Sequence, residues 1–371
     1  MVTPGDLYSL LAWLRTGRPV ERRTDFAVGT AMPDGRLDLC KQALGPMGAR
    51  LVAEALPSAG PTRHLLLGTD ELGDAGAGTA ADAATASSAS TLYLGCNGIG
   101  GAGACLIADR LVASPGVVRG LWLKRNPVGP DGGLIIGEVV GTGLTTIDLV
   151  QTRLDAGGLA ALVDHIVAAG GIGRLFVSGN PLGPSGAEEL ARLIAADGVE
   201  ELYASAAGLG DRGAEFLTGA LRGGRLRRLS LASNGIGPVA AAALIAAAVA
   251  AGAEMVDLGR VRAAGVLGAQ DNHVGDDGAA AVAQALAAST HRPAHLNLRH
   301  TGIGSRGALH LLAGARNAAV PTRFVLGGGI ASRVKRELGA LAEAVPELRP
   351  HPEVAAVRSV HRTSRREESG R

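Results

Sequence analysis

Two stretches of this 371-residue chain have the spacing of a phosphate-binding loop, GIGGAG at 98–103 and GIGSRG at 302–307. In a dinucleotide site such glycines let the backbone approach a pyrophosphate where a helix begins. Here glycines recur at the same place in stretches that match no nucleotide motif, such as Gly183 and Gly186. A repeat therefore explains them, and no nucleotide cofactor is expected. The chain has no GxxxxGK[ST] loop, its nine histidines contain no HExxH motif, and Cys40, Cys96 and Cys105 show no CxxC pairing. These absences argue against a metal centre, and no nucleophile stands beside a candidate base. The expectation is a protein without cofactor or catalytic centre, not an enzyme.

A second set of residues points to binding. Positions flanked by two aliphatics recur along the chain and hold, in order, Asp38, Leu66, Tyr93, Trp122, Asp148, Phe176, Tyr203, Ser230, Asp257, Asn297 and Val325. Four of the nine aromatics fall in this column within five consecutive copies. If the flanking aliphatics face inward on a strand, the residue between them faces outward, and neighbouring strands set such residues about 5 Å apart. Lys124 with Arg125, Arg260, and Arg299 with His300 stand just beyond the column. Tyr, Trp and Arg carry much of the energy of protein interfaces, because they bury large areas at small rotamer cost. The expected partner-binding residues are Tyr93, Trp122, Lys124, Arg125, Asp148, Phe176, Tyr203, Asp257, Arg260 and Arg299. The competing explanation is that aromatics favour strands and merely cover the sheet.

What must position these side chains is a repeat. The frame L-x-L-x-x-N-x-I-G-x-x-G-A-x-x-[LI]-A-x-x-L, read from Leu92, recurs with starts at Leu37, Leu65, Leu92, Leu121, Ile147, Leu175, Leu202, Leu229, Val256, Leu296 and, in degenerate form, Phe324. Successive steps are 26 to 29 residues, except for one of 40 between Val256 and Leu296. The aliphatic pair predicts a short strand with one face inward. The glycines and alanine that follow predict the start of a helix packed close to the sheet. In AEELARLIA, Leu190, Ala191 and Ile194 form the inward stripe. Asn97, Asn126, Asn180, Asn234 and Asn272 stand where the chain turns off the strand, and their amides can satisfy neighbouring turns. Strand and helix alternating with every helix on one side give parallel strands and a curved α/β solenoid, a horseshoe of about eleven repeats with its sheet on the concave face.

These residues resemble the ribonuclease-inhibitor-like leucine-rich repeats over about 37–330, and the GAxxLA ending resembles bacterial GALA-type proteins. The resemblance implies a protein-binding scaffold using its concave face. The same subtype builds Ran GTPase-activating proteins, which implies an alternative: a regulator, activator or inhibitor, of a GTPase or other enzyme partner, with Arg260 or Arg262 at the rim. GALA-type effectors carry an F-box before the repeats, and residues 1–35 show none.

Composition sets the remaining bounds. The chain is 47% hydrophobic and only 2% aromatic, contains 56 glycines, and balances 36 basic against 34 acidic residues for a net charge of +2. It can bury a core, and nothing in the total charge attracts nucleic acid or a membrane. No run is long enough to span a bilayer, and the first residues lack the pattern of a secretory leader. Three cysteines and no disulfide framework suit a reducing cytoplasm, and the excess of arginine over lysine suggests a bacterial, GC-rich source. Residues 1–35, with the amphipathic stretch GDLYSLLAWLRT, are expected to cap a repeat domain at 36–346 that carries an insertion at about 259–271. Residues 347–371 are expected to form a disordered tail, and the protein to be a monomer.

Overall fold

In a computed structural model, which describes residues 3–288, 290, 292 and 294–360, the L-x-L pairs of the first ten repeats start on short strands with both aliphatics buried, and Phe324 and Leu326 of the last are partly buried. The chain divides into two compact units. Unit 1 runs to Arg153 and takes in the chain from Pro350, and unit 2 is Leu154–Arg349.

Unit 1 opens with α1 (Pro4–Thr16), started by a capping box between Thr3 and Asp6 and closed by Gly17 in the left-handed region at φ 64°. Its apolar stripe of Leu7, Leu10, Leu11 and Leu14 is buried. The strands β1 (Thr24–Asp25) and β2 (Thr30–Ala31) run antiparallel, and β2 lies antiparallel to β3 (Arg36–Asp38). These elements close the end of the sheet, with Trp13 against Phe26 at 5.3 Å between ring centroids. Then strand and helix alternate: α2 (Gly45–Ala55), β4 (His64–Leu66), α3 (Gly73–Ser87), β5 (Thr91–Tyr93), α4 (Gly101–Ala113), β6 (Gly120–Trp122), α5 (Gly132–Gly137) and β7 (Thr146–Asp148). Strands β3 to β7 are parallel neighbours in chain order, with Leu37, Leu65, Leu92, Leu121 and Ile147 in register and buried.

Unit 2 repeats the scheme with α6 (Ala156–Ala168), β8 (Ile172–Phe176), α7 (Gly183–Ala195), β9 (Val199–Tyr203), α8 (Gly210–Ala220), β10 (Arg228–Ser230), α9 (Pro238–Ala250), β11 (Met255–Asp257), α10 (Gly275–Ala288), β12 (Ala294–Leu298), α11 (Ser305–Asn317), β13 (Thr322–Leu326) and α12 (Ser332–Leu341). Strands β8 to β13 are again parallel neighbours in chain order. Five parallel strands in unit 1 and six in unit 2 match the eleven repeats expected, and the fold is a leucine-rich-repeat solenoid of mostly parallel strands.

The asparagines tie the turns together. Asn126 Oδ1 accepts from the amides of Asn97 (2.8 Å) and Ile99 (3.2 Å), while its Nδ2 donates to the carbonyls of Leu94 and Leu123 at 2.9 Å. Asn97 makes the same four bonds one turn earlier, and in unit 2 Asn234 and Asn272 repeat them. Each amide group is buried and saturated, which is what a stack without side-chain contacts at the turn requires. Asn272 keeps its place although the insertion separates it from Leu258, because the extra residues bulge out as turns over 262–268.

Residues 347–360 depart from the disorder expected of an aperiodic, arginine-bearing tail. They carry a short helix, α13 (Pro352–Ala356), and hydrogen-bond to the sheet face away from the helices. The rest of the expected tail, 361–371, lies outside the described residues.

Candidate functional site

The column residues of unit 1 lie on the helix-free face but do not form a single aromatic stripe. Tyr93 is half-buried, and its ring lies over Gly68 and Gly95, where a Cβ would come within 2.3 Å and 2.9 Å of it. Lys124 Nζ stands 5.1 Å from the centre of that ring, a cation–π distance. Trp122, in register with Tyr93, leans to the other end of its strand and covers Gly120, whose Cβ would sit 2.2 Å from the indole. Trp122 is only 2% exposed, so the exposed indole expected from alternation is not available at this surface. Asp148 is buried too, and its Oδ1 accepts from the Val150 amide at 2.9 Å. Burial pushes its carboxyl up to about 6, against the Val150 bond and Lys124, which lower it. Arg125 is exposed and donates to Gln151 Oε1 at 3.1 Å.

In unit 2 the aromatics do come together. Phe176 and Tyr203 stack with centroids 4.3 Å apart and planes 6° from parallel, and each keeps part of its ring in solvent. The Tyr203 hydroxyl donates to Glu201 Oε2 at 2.8 Å, and Arg228 stands 3.6 Å from Glu201. Burial, and secondly the Glu201 charge, push the Tyr203 phenol well above its ordinary value. Asp257 accepts from the Gly259 amide (2.9 Å), the Ser230 hydroxyl (3.2 Å) and Asn297 Nδ2 (2.8 Å). Arg260 pairs with Asp271 inside the insertion at 3.3 Å, and Arg299 is exposed beside β12. The insertion also walls a cleft along the turn edge, with Leu267 and Gln270 facing Asn180, Ala207 and Gly235.

Alternation turns a second row outward, one residue before each buried aliphatic, and the column-only reading missed it. In unit 1 it comprises Arg36, His64, Thr91, Gly120 and Thr146, aligned in register across β3 to β7. In unit 2 it includes Arg174, Glu201, Arg228, His295 and Arg323. There the chain beyond α12 rests on it. Arg323 Nη2 donates to the Ala342 carbonyl at 3.0 Å, His295 Nε2 meets the Pro346 carbonyl at 2.7 Å, and Arg228 Nη2 donates to the Arg349 carbonyl at 2.8 Å.

The glycine motifs have another use than phosphate binding. The Gly100 amide donates to Asp74 Oδ1 at 2.7 Å, and the amides of Gly304 and Gly307 donate to Asp276 Oδ1 at 2.7 Å and 2.9 Å. A carboxylate from the preceding repeat thus occupies each helix start where a phosphate would need those donors. These bonds, the Gly304 one first, hold the Asp276 carboxyl below its ordinary range. Among the described residues no three metal-ligating side chains cluster, and no helix is long and apolar enough to cross a membrane.

Comparison with known proteins adds three findings. A Leucine Rich repeat family profile matches residues 226–244. None of the curated proteins compared matches the sequence. Among solved structures, a chain from the crystal structure of the Rad7 and Elc1 complex in yeast is similar, with a TM-score of 0.56 and 15% identity over 92% of this chain and 81% of that one. With eleven repeats, a parallel ladder, buried asparagine turns and a matching repeat profile, the chain has a leucine-rich-repeat fold.

Proposed function

We propose that the protein is a binding scaffold whose helix-free sheet face engages a protein partner. The observation that carries this reading is the Phe176–Tyr203 stack of unit 2, part-exposed and bordered by Glu201 and Arg228. A rigid aromatic pair with charges at its rim offers area and orientation together, the combination that hot spots use. Tyr93 with Lys124 in unit 1 has the same chemistry on a smaller scale. The leucine-rich-repeat fold and a structural neighbour found in a protein complex support an interaction role.

The test compares the wild type with a Phe176→Ala, Tyr203→Ala variant that retains the wild-type circular dichroism. A partner held by the wild type in affinity capture and lost by the variant is the expected result. Identical retention by both refutes the placement of the site. A finer reading is regulation of a nucleotide-hydrolysing partner through the insertion, where Arg262 is exposed. It predicts accelerated partner turnover that Arg262→Ala abolishes. The 26- to 29-residue step and the asparagine frame favour the ribonuclease-inhibitor-like subtype. The free thiols of Cys40, Cys96 and Cys105 suit a reducing cytoplasm.

A further inference from the structure

The chain from Pro350 lies on the outward row of unit 1 and is held at both ends. Glu353 receives hydrogen bonds from the hydroxyls of Thr145 (2.9 Å) and Thr146 (2.8 Å), with Arg119 Nε at 3.8 Å. At the far side Arg36 Nη1 donates to the Arg358 carbonyl at 2.7 Å. Asp38 Oδ2 receives the Ser359 hydroxyl at 2.8 Å and the Val360 amide at 2.6 Å. From β7 to β3 is four strand spacings, about 19 Å. The helix α13 continues into a turn at Val357, where the Arg358 amide donates to the Ala355 carbonyl at 3.2 Å, so side chains at both ends complete the reach. The segment crosses five strands against the order of the repeats.

The grip consists of hydroxyls, charges and backbone groups. Of residues 350–360 only Ala356 is fully buried, so little apolar area opposes release. The Glu353 side chain is 14% exposed while Arg119 remains 57% exposed, which places the carboxylate in the groove and leaves its cation at the rim. Trp122 faces away from the helices yet is buried, as it can be only if something lies on that face.

We propose that residues 350–360 are an intramolecular ligand of a peptide groove on unit 1. Once they leave, the groove accepts from a partner a peptide that carries one carboxylate. Its carboxylate replaces Glu353 at Thr145, Thr146 and Arg119, and a hydroxyl and amide replace Ser359 and Val360 at Asp38. This inference rests on the reading that the sheet face binds protein, and adds that in unit 1 a partner must displace the chain's own segment.

The test uses the full chain and a labelled synthetic peptide of residues 350–360 supplied in trans, so it needs no external partner. A tethered segment competes at an effective concentration on the order of millimolar. The Glu353→Lys variant is therefore expected to bind the peptide at least about 10-fold more tightly than the wild type, with faster amide exchange at Val360. A peptide carrying the same Glu353→Lys change should not bind. Asp38→Asn keeps an acceptor for the Cys40 amide but loses the charge that holds Val360, so it is expected to speed Val360 exchange with no gain in peptide binding, because the added peptide needs the same carboxylate. Val360 exchange unchanged in both variants would show that these contacts do not hold the segment. Fast exchange in Glu353→Lys with no gain in peptide binding would show that the groove is not a peptide site. Either result overturns the proposal while leaving the unit 2 surface untouched.

Discussion

Replacing Asp70 by asparagine should stabilise the protein above neutral pH and leave it little changed in acid. Asp70 occupies the turn position that Asn97 and Asn126 fill in the next two repeats. Its Oδ1 accepts from the Gln42 amide at 2.8 Å, as an asparagine oxygen would. Its Oδ2 stands where Asn97 and Asn126 place Nδ2 and has no hydrogen-bond partner. An asparagine there donates to the carbonyls that close the strands, by analogy those of Leu39 and Leu67, and a carboxylate can do so only when protonated. Burial accordingly pushes the Asp70 carboxyl up to about 7, against the lowering bonds from the amides of Gln42, Leu44 and Ala43. The folded state thus holds this proton more tightly than the unfolded chain, where the ordinary value is 3.8. Stability from this group is complete below 3.8 and is lost as pH rises to about 7, at about 1.4 kcal/mol per pH unit. Over the whole window the loss is about 4 kcal/mol, and between pH 5 and pH 8 about 3 kcal/mol. Other acids titrate in both proteins, so the measured quantity is the gap between wild type and Asp70→Asn in urea denaturation at the two pH values. A gap that widens by about 3 kcal/mol at pH 8 is expected. The same gap at both pH values would show that Asp70 is ionised in the folded protein and that the asparagine analogy fails.

Asn126→Ala removes four buried bonds at once, and should cost about 2–4 kcal/mol by the same urea assay. Gly103→Ala places a Cβ 2.5 Å from Asp74 Oδ1, 2.7 Å from Ile99 and 2.9 Å from the Asp74 Cα, and should cost about 1–3 kcal/mol in thermal unfolding. Gly101→Ala meets only the Val128 carbonyl at 3.5 Å and should be near neutral, so equal losses at the two sites would refute the packing argument. Among the thiols, exposed Cys105 should react first with a mild alkylating reagent and Cys40 last. Burial, and secondly the Asp38 charge, push the Cys40 thiol far up and deny it the thiolate form. Peptide mapping of the alkylated chain reads the order directly.

Whatever repeats is legible in the residues alone. Alternation at Leu121 and Leu123 specifies a strand with one buried face. The glycines at 183 and 186 allow a helix to start close to it, and Asn126 and its counterparts mark the turn. Those signals are local and recur at 26 to 29 residues, so a single frame reads them all. It also placed Phe176 beside Tyr203, because register follows from the period. Whatever occurs once depends on the folded chain. That Trp122 folds over Gly120 and is buried while Phe176 and Tyr203 stack depends on neighbours outside the frame. The pairing of Thr145 with Glu353 and of Asp38 with Ser359 joins residues 208 and 321 positions apart. Residues 350–360 have no period and only small apolar side chains, Val and Ala, so the repeat frame does not place them. They are ordered by a surface already built, whose hydroxyls, arginines and aspartate exist as a groove only after the strands have come into register.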